Sequence, residues 1–344
     1  VLTLAQARQA ARDVKQAALG GRPLVPGDGL KGAQTWGELS EEYITWVRGQ
    51  RRPSTAAEIK RILHSGDLAG WRDRPAKSIG PDDVRALRDA VHERGPSMGT
   101  KVLRIVSGMG NWAVSEGRLP AAPAKGIRTR STEKERDRVL SDGEIGTFWR
   151  ACDGLGYPYG AIGKLLLLTG TRLRETGQME WGELNLDHRV WVIPGNRCKN
   201  GRPLTLHLSR PAVAILRELA EQRAKVEVLK ASPYVFVSAN GGRIESFSHM
   251  KLKLDEAMTA EAGDAPAHFT LHDLRRTSAT TMARLKFPPH IVERILNHAD
   301  GVISGVAAIY NQFNYADECA AALEALGEFV MALVEPKVIP LRRA

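Results

Sequence analysis

The chain has 344 residues, a formal net charge of +10, 43% hydrophobic residues and 26% charged residues. That length and apolar content suit two folded domains with real cores and exclude a disordered chain. The positive balance points to a polyanionic partner, nucleic acid first. No apolar run approaches the roughly 18 residues of a membrane-spanning helix. The three cysteines, Cys152, Cys198 and Cys319, form no CxxC pair, which argues against a disulfide framework or zinc site and suits a reducing cytosol.

Taken in chain order, Val1 to Leu19 reads as an Ala-rich helix, and Gly20 to Gly32 as a Gly/Pro linker. Four helices are predicted next. Thr35 to Arg48 carries Leu39, Tyr43 and Trp46 near helical spacing, and Ser54 to Leu63 follows. A third opens at Pro81-Asp82-Asp83, where proline and acids suit a helix N-terminus. The fourth, about Ser97 to Glu116, places Val102, Val106, Met109 and Ala113 on one stripe. Its polar face carries Lys101 and Arg104. Residues 33–120 thus read as a compact, basic, all-helical domain. The Pro-rich, charge-dense stretch to Arg138 reads as a linker, either simply solvated or tracking phosphates through Lys125, Arg128 and Arg130.

A second domain is expected to begin at Leu140-Ser141-Asp142-Gly143-Glu144. Ser141 and Glu144 make a capping box, and Leu140 supplies the hydrophobic staple. Tyr159 to Leu168 is an apolar helix ending at Thr169-Gly170. Arg189 to Ile193 and Pro203 to Ser209 read as strands, joined by a turn containing Asn200-Gly201, a strong hairpin signal. Lys199 and Arg202 therefore lie at or beside a hairpin tip. Ser209 and Pro211 open a helix to about Lys225, and Tyr234 to Val237 reads as a short strand. From Leu271 the chain is predicted helical, with breaks near Pro288-Pro289 and Asp300-Gly301.

Two Gly-rich decoys fail on inspection. A phosphate-binding loop ending at Gly163-Lys164 would need Gly at 158 and Ser or Thr at 165, where the chain has Pro158 and Leu165. A dinucleotide fingerprint would need Gly at 159, where Tyr159 stands. No HExxH occurs, and His290 and His298 are too far apart for the usual helical metal pair. What remains is a set of cations and one hydroxyl. Arg172 follows a helix stop in TGTRLRE, in the first turn of a new helix, where backbone N–H groups can cradle a phosphate. Glu175 can orient its guanidinium. His272 and Arg275 of HDLRRT share one helix face, and an arginine beside a histidine suits phosphate binding and proton transfer. His298 ends ILNH, and Tyr310 follows. Cations around a hydroxyl can bind a phosphodiester and support nucleophilic attack at phosphorus.

In this order, TGTRLRE, a hairpin lysine, HDLRRT, LNH and a tyrosine resemble the tyrosine recombinase (phage integrase) family, in its prophage and genomic-island branch. The resemblance covers roughly 33–335. It implies a mostly α fold with a small β-sheet: a helical, SAM-like core-binding domain at 33–120, a linker at 121–138, and an α+β catalytic domain with its C-terminal helix at 139–335. Residues 1–32 would be the remnant of an arm-type DNA-binding domain and its linker, and 336–344 a tail. It also implies roles. Arg172 and Arg275 clamp the phosphate, Lys199 protonates the leaving 5′ oxygen, His272 is the acid/base, His298 a further donor, Tyr310 the nucleophile and Glu175 a supporting acid.

The implied reaction is cleavage through a 3′-phosphotyrosyl link and strand exchange between two duplex attachment sites, as in integration or excision of a mobile element. It needs no cofactor, ATP or metal. The implied partners are double-stranded DNA and the chain itself, as a tetramer whose terminal helix, about Ala316 to Val334, either docks in trans or packs on its own core. The resemblance also allows a DNA-bending accessory protein, and places the protein on DNA in a bacterial cytoplasm. Two alternatives stand: a type IB-like topoisomerase, and a non-catalytic sequence-specific DNA-binding protein. The chain departs from the family pattern twice. His298 and Tyr310 are 12 residues apart, a longer step than usual. This makes Tyr315 a rival, although Tyr315 would lengthen the step further. Asn297 stands where the family usually has glycine, and is expected to be harmless.

Overall fold

The computed structural model describes residues 34–130, 137–238, 240–298 and 314–334. The chain divides into two compact units, Val1–Glu135 and Arg136–Ala344.

In the first unit, α1 (Trp36–Gln50) starts at a full capping box between Thr35 and Glu38. Its Trp36, Leu39, Tyr43, Ile44 and Val47 recur at helical spacing and are buried. Proline opens each of α2 (Pro53–Leu63), α3 (Pro81–Arg94) and α4 (Pro96–Ser115), where its missing N–H leaves no bond unmade. Between α2 and α3 run two 3₁₀ turns, Gly66–Trp71 and Ala76–Ser78. The Asp83 carboxylate accepts from Gly80 N at 2.9 Å and from Arg74 Nη1 at 2.7 Å, fixing the start of α3. The Val102, Val106, Met109 and Ala113 stripe of α4 lies in the core. The stretch expected to open the linker is held on these helices. Ala124 is buried, Ile127 packs against the core, and Arg88 Nη1 donates to the Arg128 carbonyl at 2.9 Å.

The second unit is built around α6 (Tyr159–Thr169), whose run of leucines is buried all round. Before it, α5 (Asp142–Leu155) begins at the Ser141–Glu144 capping box. Buried Leu140 donates its N–H to Thr277 Oγ1 at 3.0 Å, tying this start to a later helix. Helix α6 stops because Gly170 turns left-handed, at φ +62. After the single turn of α7 (Leu173–Gly177) comes an antiparallel meander of β1 (Leu184–Asn185), β2 (Val190–Ile193) and β3 (Leu204–His207). Trp191, Ile193, Leu204 and Leu206 face the core, while Val192 between them is exposed. Then follow α8 (Arg210–Lys225), α9 (Glu227–Ala231), α10 (Ser248–Ala262), α11 (Leu271–Arg284), α12 (Pro289–Ile295) and α13 (Ala316–Val334).

The structure also departs from the sequence reading after the meander. Tyr234 to Val237 forms two isolated bridges, to Glu180 and to Arg243, and not a strand. Helices α9 and α10 had no expectation. In α10, Met250, Leu254 and Met258 form a thin stripe among charged and small residues, a weak periodic signal. The terminal helix α13 lays its apolar stripe on the core of its own unit. Its Ala322, Leu323, Leu326 and Val330 are buried against its own unit, where it packs on α5, α6, α8, α11, α12 and β3. Gly327 lets α13 approach Ser209 so closely that an added Cβ would sit 2.8 Å from Ser209 Oγ.

Candidate active site

Arg275 is the centre of the site. It lies on α11 and is 4% exposed, a depth at which a guanidinium needs partners for its donors. Nη1 donates to the Gly170 carbonyl at 2.7 Å, and Nη2 donates to the Leu296 carbonyl. Both acceptors lie where a helix ends, α6 and α12, and carbonyls there lack helical partners. Two helix C-termini, each carrying partial negative charge, thus hold one cation. Burial, and then the nearby charge of Arg172, pull its pKa down to about 10, so it remains charged at neutral pH. Helix α11 is fixed in turn by a Thr270–Asp273 capping box, and by Ser278 Oγ donating to Leu167 O of α6 at 2.7 Å.

Arg172 stands one residue before the expected first turn. It is the N-cap of α7, with extended backbone. Glu175 takes both its backbone N–H, at 2.9 Å, and its Nη1, also at 2.9 Å. The same carboxylate therefore caps the helix and orients the guanidinium. Arg172 Nη2 also reaches the Asn297 carbonyl at 3.5 Å. Glu175 is buried, whereas Arg172 is only half-buried and retains a polar edge toward solvent. The predicted pairing of Arg172 with Glu175 is present. Helix α7 is too short to act as a phosphate cradle by itself.

His272 shares the α11 face with Arg275 and is exposed. Partial shielding of its ring, followed by the charges of Arg275 and Arg276, holds its pKa below the ordinary histidine value; Arg172 adds to the effect. A neutral imidazole thus sits beside two guanidiniums. His298 follows α12, and its Nδ1 is engaged by the Glu293 carboxylate. That contact leaves Nε2 as the nitrogen for any ligand.

Lys199 is exposed in the β2–β3 connection, as predicted. Its neighbours are not loose. Arg197 binds the Glu183 carboxylate and donates Nη2 to the Glu175 carbonyl at 2.5 Å. Asn200 Nδ2 donates to Asn297 Oδ1 at 2.7 Å and to its carbonyl at 3.0 Å. Cys198 is buried, and burial pushes its thiol pKa up, which suits a packing role rather than a reactive one.

Tyr310 lies outside the described residues. Tyr315 is described. It has a left-handed backbone, at φ +51, and its ring meets His290 and Arg294. The structure therefore brings Arg172, Glu175, His272 and Arg275 together, with the Asn297-His298 turn and the Lys199 hairpin tied to them. It also shows three residues that sequence reasoning missed, Arg197, Asn200 and Glu293, and gives partners to Asn297, which was expected only to be harmless. Asn200 was visible as half of Asn-Gly, but its reach across to Asn297 was not. Arg197 and Glu293 carry no local pattern.

The expected DNA-contacting cations fare unevenly. Lys101 is paired with Glu58, and Arg130 approaches Asp89 at 3.3 Å. Arg104, Lys125, Arg128 and Arg202 are exposed. Arg202 also lines a cavity of about 720 Å³ with Leu204, Leu206, His298 and Leu323. Among the described residues, no group of three or more His, Cys, Asp or Glu side chains could hold a metal ion.

A helical unit followed by a unit with a meander, a buried arginine and a hairpin lysine defines the class. Residues 138–316 match the phage integrase family, and the chain belongs to that family. Tyrosine recombinase XerC of Alcanivorax borkumensis is 24% identical over 268 residues, covering 75% of this chain and 84% of that protein. Prophage integrase IntZ of Escherichia coli K12 is 23% identical over 319 residues, 91% of this chain and 75% of IntZ. Among solved structures, a lambda integrase tetramer bound to a Holliday junction shares the fold. Its TM-score is 0.64 at 15% identity, over 87% of this chain and 90% of that one.

Proposed function

We propose that this chain is a tyrosine-type site-specific recombinase, which cleaves and rejoins DNA through a 3′-phosphotyrosyl intermediate. The observation that carries the assignment of roles is the pair of guanidiniums. Arg275 is held from behind by two main-chain carbonyls, and Arg172 by Glu175. Such donors, fixed before substrate arrives, contribute about 3 kcal/mol each to a charged transition state.

In the reaction, the Tyr310 hydroxyl oxygen attacks phosphorus, and its proton passes to His272. The P–O5′ bond breaks, its electron pair stays on the 5′ oxygen, and Lys199 supplies the proton. Arg172 and Arg275 stabilise the charge on the non-bridging oxygens, joined by His298 Nε2, which donates in the imidazolium form because Nδ1 already gives its proton to Glu293. The bond energy is retained in the phosphotyrosyl link, and the 5′ hydroxyl of a partner strand reverses the step. Two such exchanges between duplex sites recombine them, which requires several copies of the chain on DNA. Residues 34–130 would serve as the core-binding unit, with Arg104, Lys125 and Arg128 on phosphates.

The test is a nicked duplex carrying the attachment site, selected from a random-sequence pool by binding. The wild-type chain should trap a covalent protein–DNA adduct, and Tyr310→Phe should bind without forming it. An adduct from Tyr310→Phe, together with none from Tyr315→Phe, would transfer the nucleophile to Tyr315. Joining of strands from two different duplexes separates a recombinase from a topoisomerase, which only relaxes supercoils.

A further inference from the structure

Lys199 occupies an exposed turn, yet the residue after it is fastened to the opposite side of the site. Asn200 Nδ2 donates to both the side-chain oxygen and the carbonyl of Asn297, at 2.7 and 3.0 Å. Asn200 Oδ1 accepts the Arg202 N–H at 3.0 Å, so the same side chain also closes the turn. Asn297 Nδ2 faces the Arg202 carbonyl at 3.4 Å. Asn297 can occupy this place because its backbone is left-handed, at φ +50, a conformation that asparagine tolerates better than most residues. Its carbonyl is shared with Arg172 Nη2, and the next residue is His298.

We propose that Asn200 and Asn297 form a clasp that positions Lys199 for proton donation to the leaving 5′ oxygen. Both are positioning residues, because neither touches the reacting atoms. The inference rests on the recombinase reading of the site, and gives the Asn297 side chain a hydrogen bond that glycine at the same position could not make. The clasp fixes the hairpin to the turn that carries His298, so that the proton donor and the phosphate-binding donors keep one geometry. When the P–O5′ bond breaks, the ammonium of Lys199 gives its proton to the 5′ oxygen, and the resulting amine is reprotonated from solvent.

The experiment compares single-turnover cleavage of an ordinary duplex with one whose scissile 5′ bridging oxygen is replaced by sulfur. A thiolate leaves without a proton, since its conjugate acid has a pKa of about 8.5 in a cysteine-like thiol. Four variants are measured: Lys199→Ala, Asn200→Ala, Asn297→Gly and Asn297→Asp. Asn297→Gly keeps the left-handed backbone and removes only the side chain, and thermal melting checks that each variant folds. The expected result on the oxygen substrate is a loss of about 10- to 100-fold for Asn200→Ala, the scale of an ångström-level misplacement, and a smaller loss for Asn297→Gly, which keeps the carbonyl that accepts from Asn200 Nδ2 at 3.0 Å. On the sulfur substrate both should approach wild-type rates, as should Lys199→Ala. Asn297→Asp, which keeps the acceptor for Asn200, should recover most of the loss. Equal slowing of the clasp variants on both substrates, or no slowing on either, overturns the proposal while Lys199→Ala still shows rescue. If Lys199→Ala itself is slowed equally on both, the role of Lys199 falls, and the clasp proposal falls with it.

Discussion

Arg275 and His272 lie three residues apart on α11 but meet different fates, because one points into the unit and the other toward solvent. Arg275→Lys keeps a charge but cannot span the Gly170 and Leu296 carbonyls with a two-pronged donor. We expect cleavage to fall by about 100-fold or more, as for removal of one oxyanion donor. Stability should fall by about 1–3 kcal/mol, from one buried carbonyl left without a donor, measured by urea titration. For His272 the sign follows from its lowered pKa. The neutral ring that accepts the tyrosine proton persists as pH drops below the ordinary value of about 6.5. The acidic limb of the cleavage rate should therefore lie below that pH, and His272→Gln should flatten it. A limb above pH 7 that vanishes in the variant would contradict the assignment. The residue-level outline was legible because Arg172, Lys199, His272, Arg275 and His298 follow one another in an order that resembles a known family. The supports were not legible: Asn297 and Glu293 act through spatial neighbours, which local sequence does not encode.

At the scale of elements, the hairpin that carries Lys199 and the cap that starts α5 make separate predictions. An added Cβ at Gly195 would lie 2.4 Å from the Gly201 carbonyl oxygen, an overlap that only backbone movement can relieve. Gly195→Ala should open the turn and slow cleavage, with partial recovery on the sulfur-bridged substrate. Ser141→Ala removes the side-chain acceptor of the Glu144 N–H and should cost about 1 kcal/mol, read from the melting transition, with little effect on chemistry. Capping boxes, proline starts and alternating strands were legible from the sequence, because each is a local rule with a local cause. Helix α10 was not, since its buried Met250, Leu254 and Met258 are diluted by lysines and acids along a short helix. The apolar stripe of the terminal helix was legible at helical spacing, and its own unit buries it, but a stripe does not say whether a second molecule also engages the helix.

At the scale of the molecule, the net charge of +10 is unevenly available. The Glu58 carboxyl is drawn down to about 2 by its hydrogen bonds to Arg61 and Lys101, so the Lys101 ammonium is already engaged. Arg104, Lys125 and Arg128 remain exposed. In the full chain, replacing each of these three by alanine should lower the slope of duplex affinity against salt by about one, since one phosphate fewer is then neutralised. Lys101→Ala should change it less. A salt dependence unaffected by all three would remove the first unit from the DNA-binding surface.

The two carbonyls that seat Arg275 belong to the main chain, at Gly170 and Leu296. Every amino acid carries the same carbonyl, so this seat places almost no demand on side-chain identity as long as the two helices end where they do. The chain can therefore drift widely in sequence around this buried cation without loosening it. The demand falls instead on Gly170, whose left-handed φ ends α6, and a mutational scan should find that position far less tolerant than Leu296.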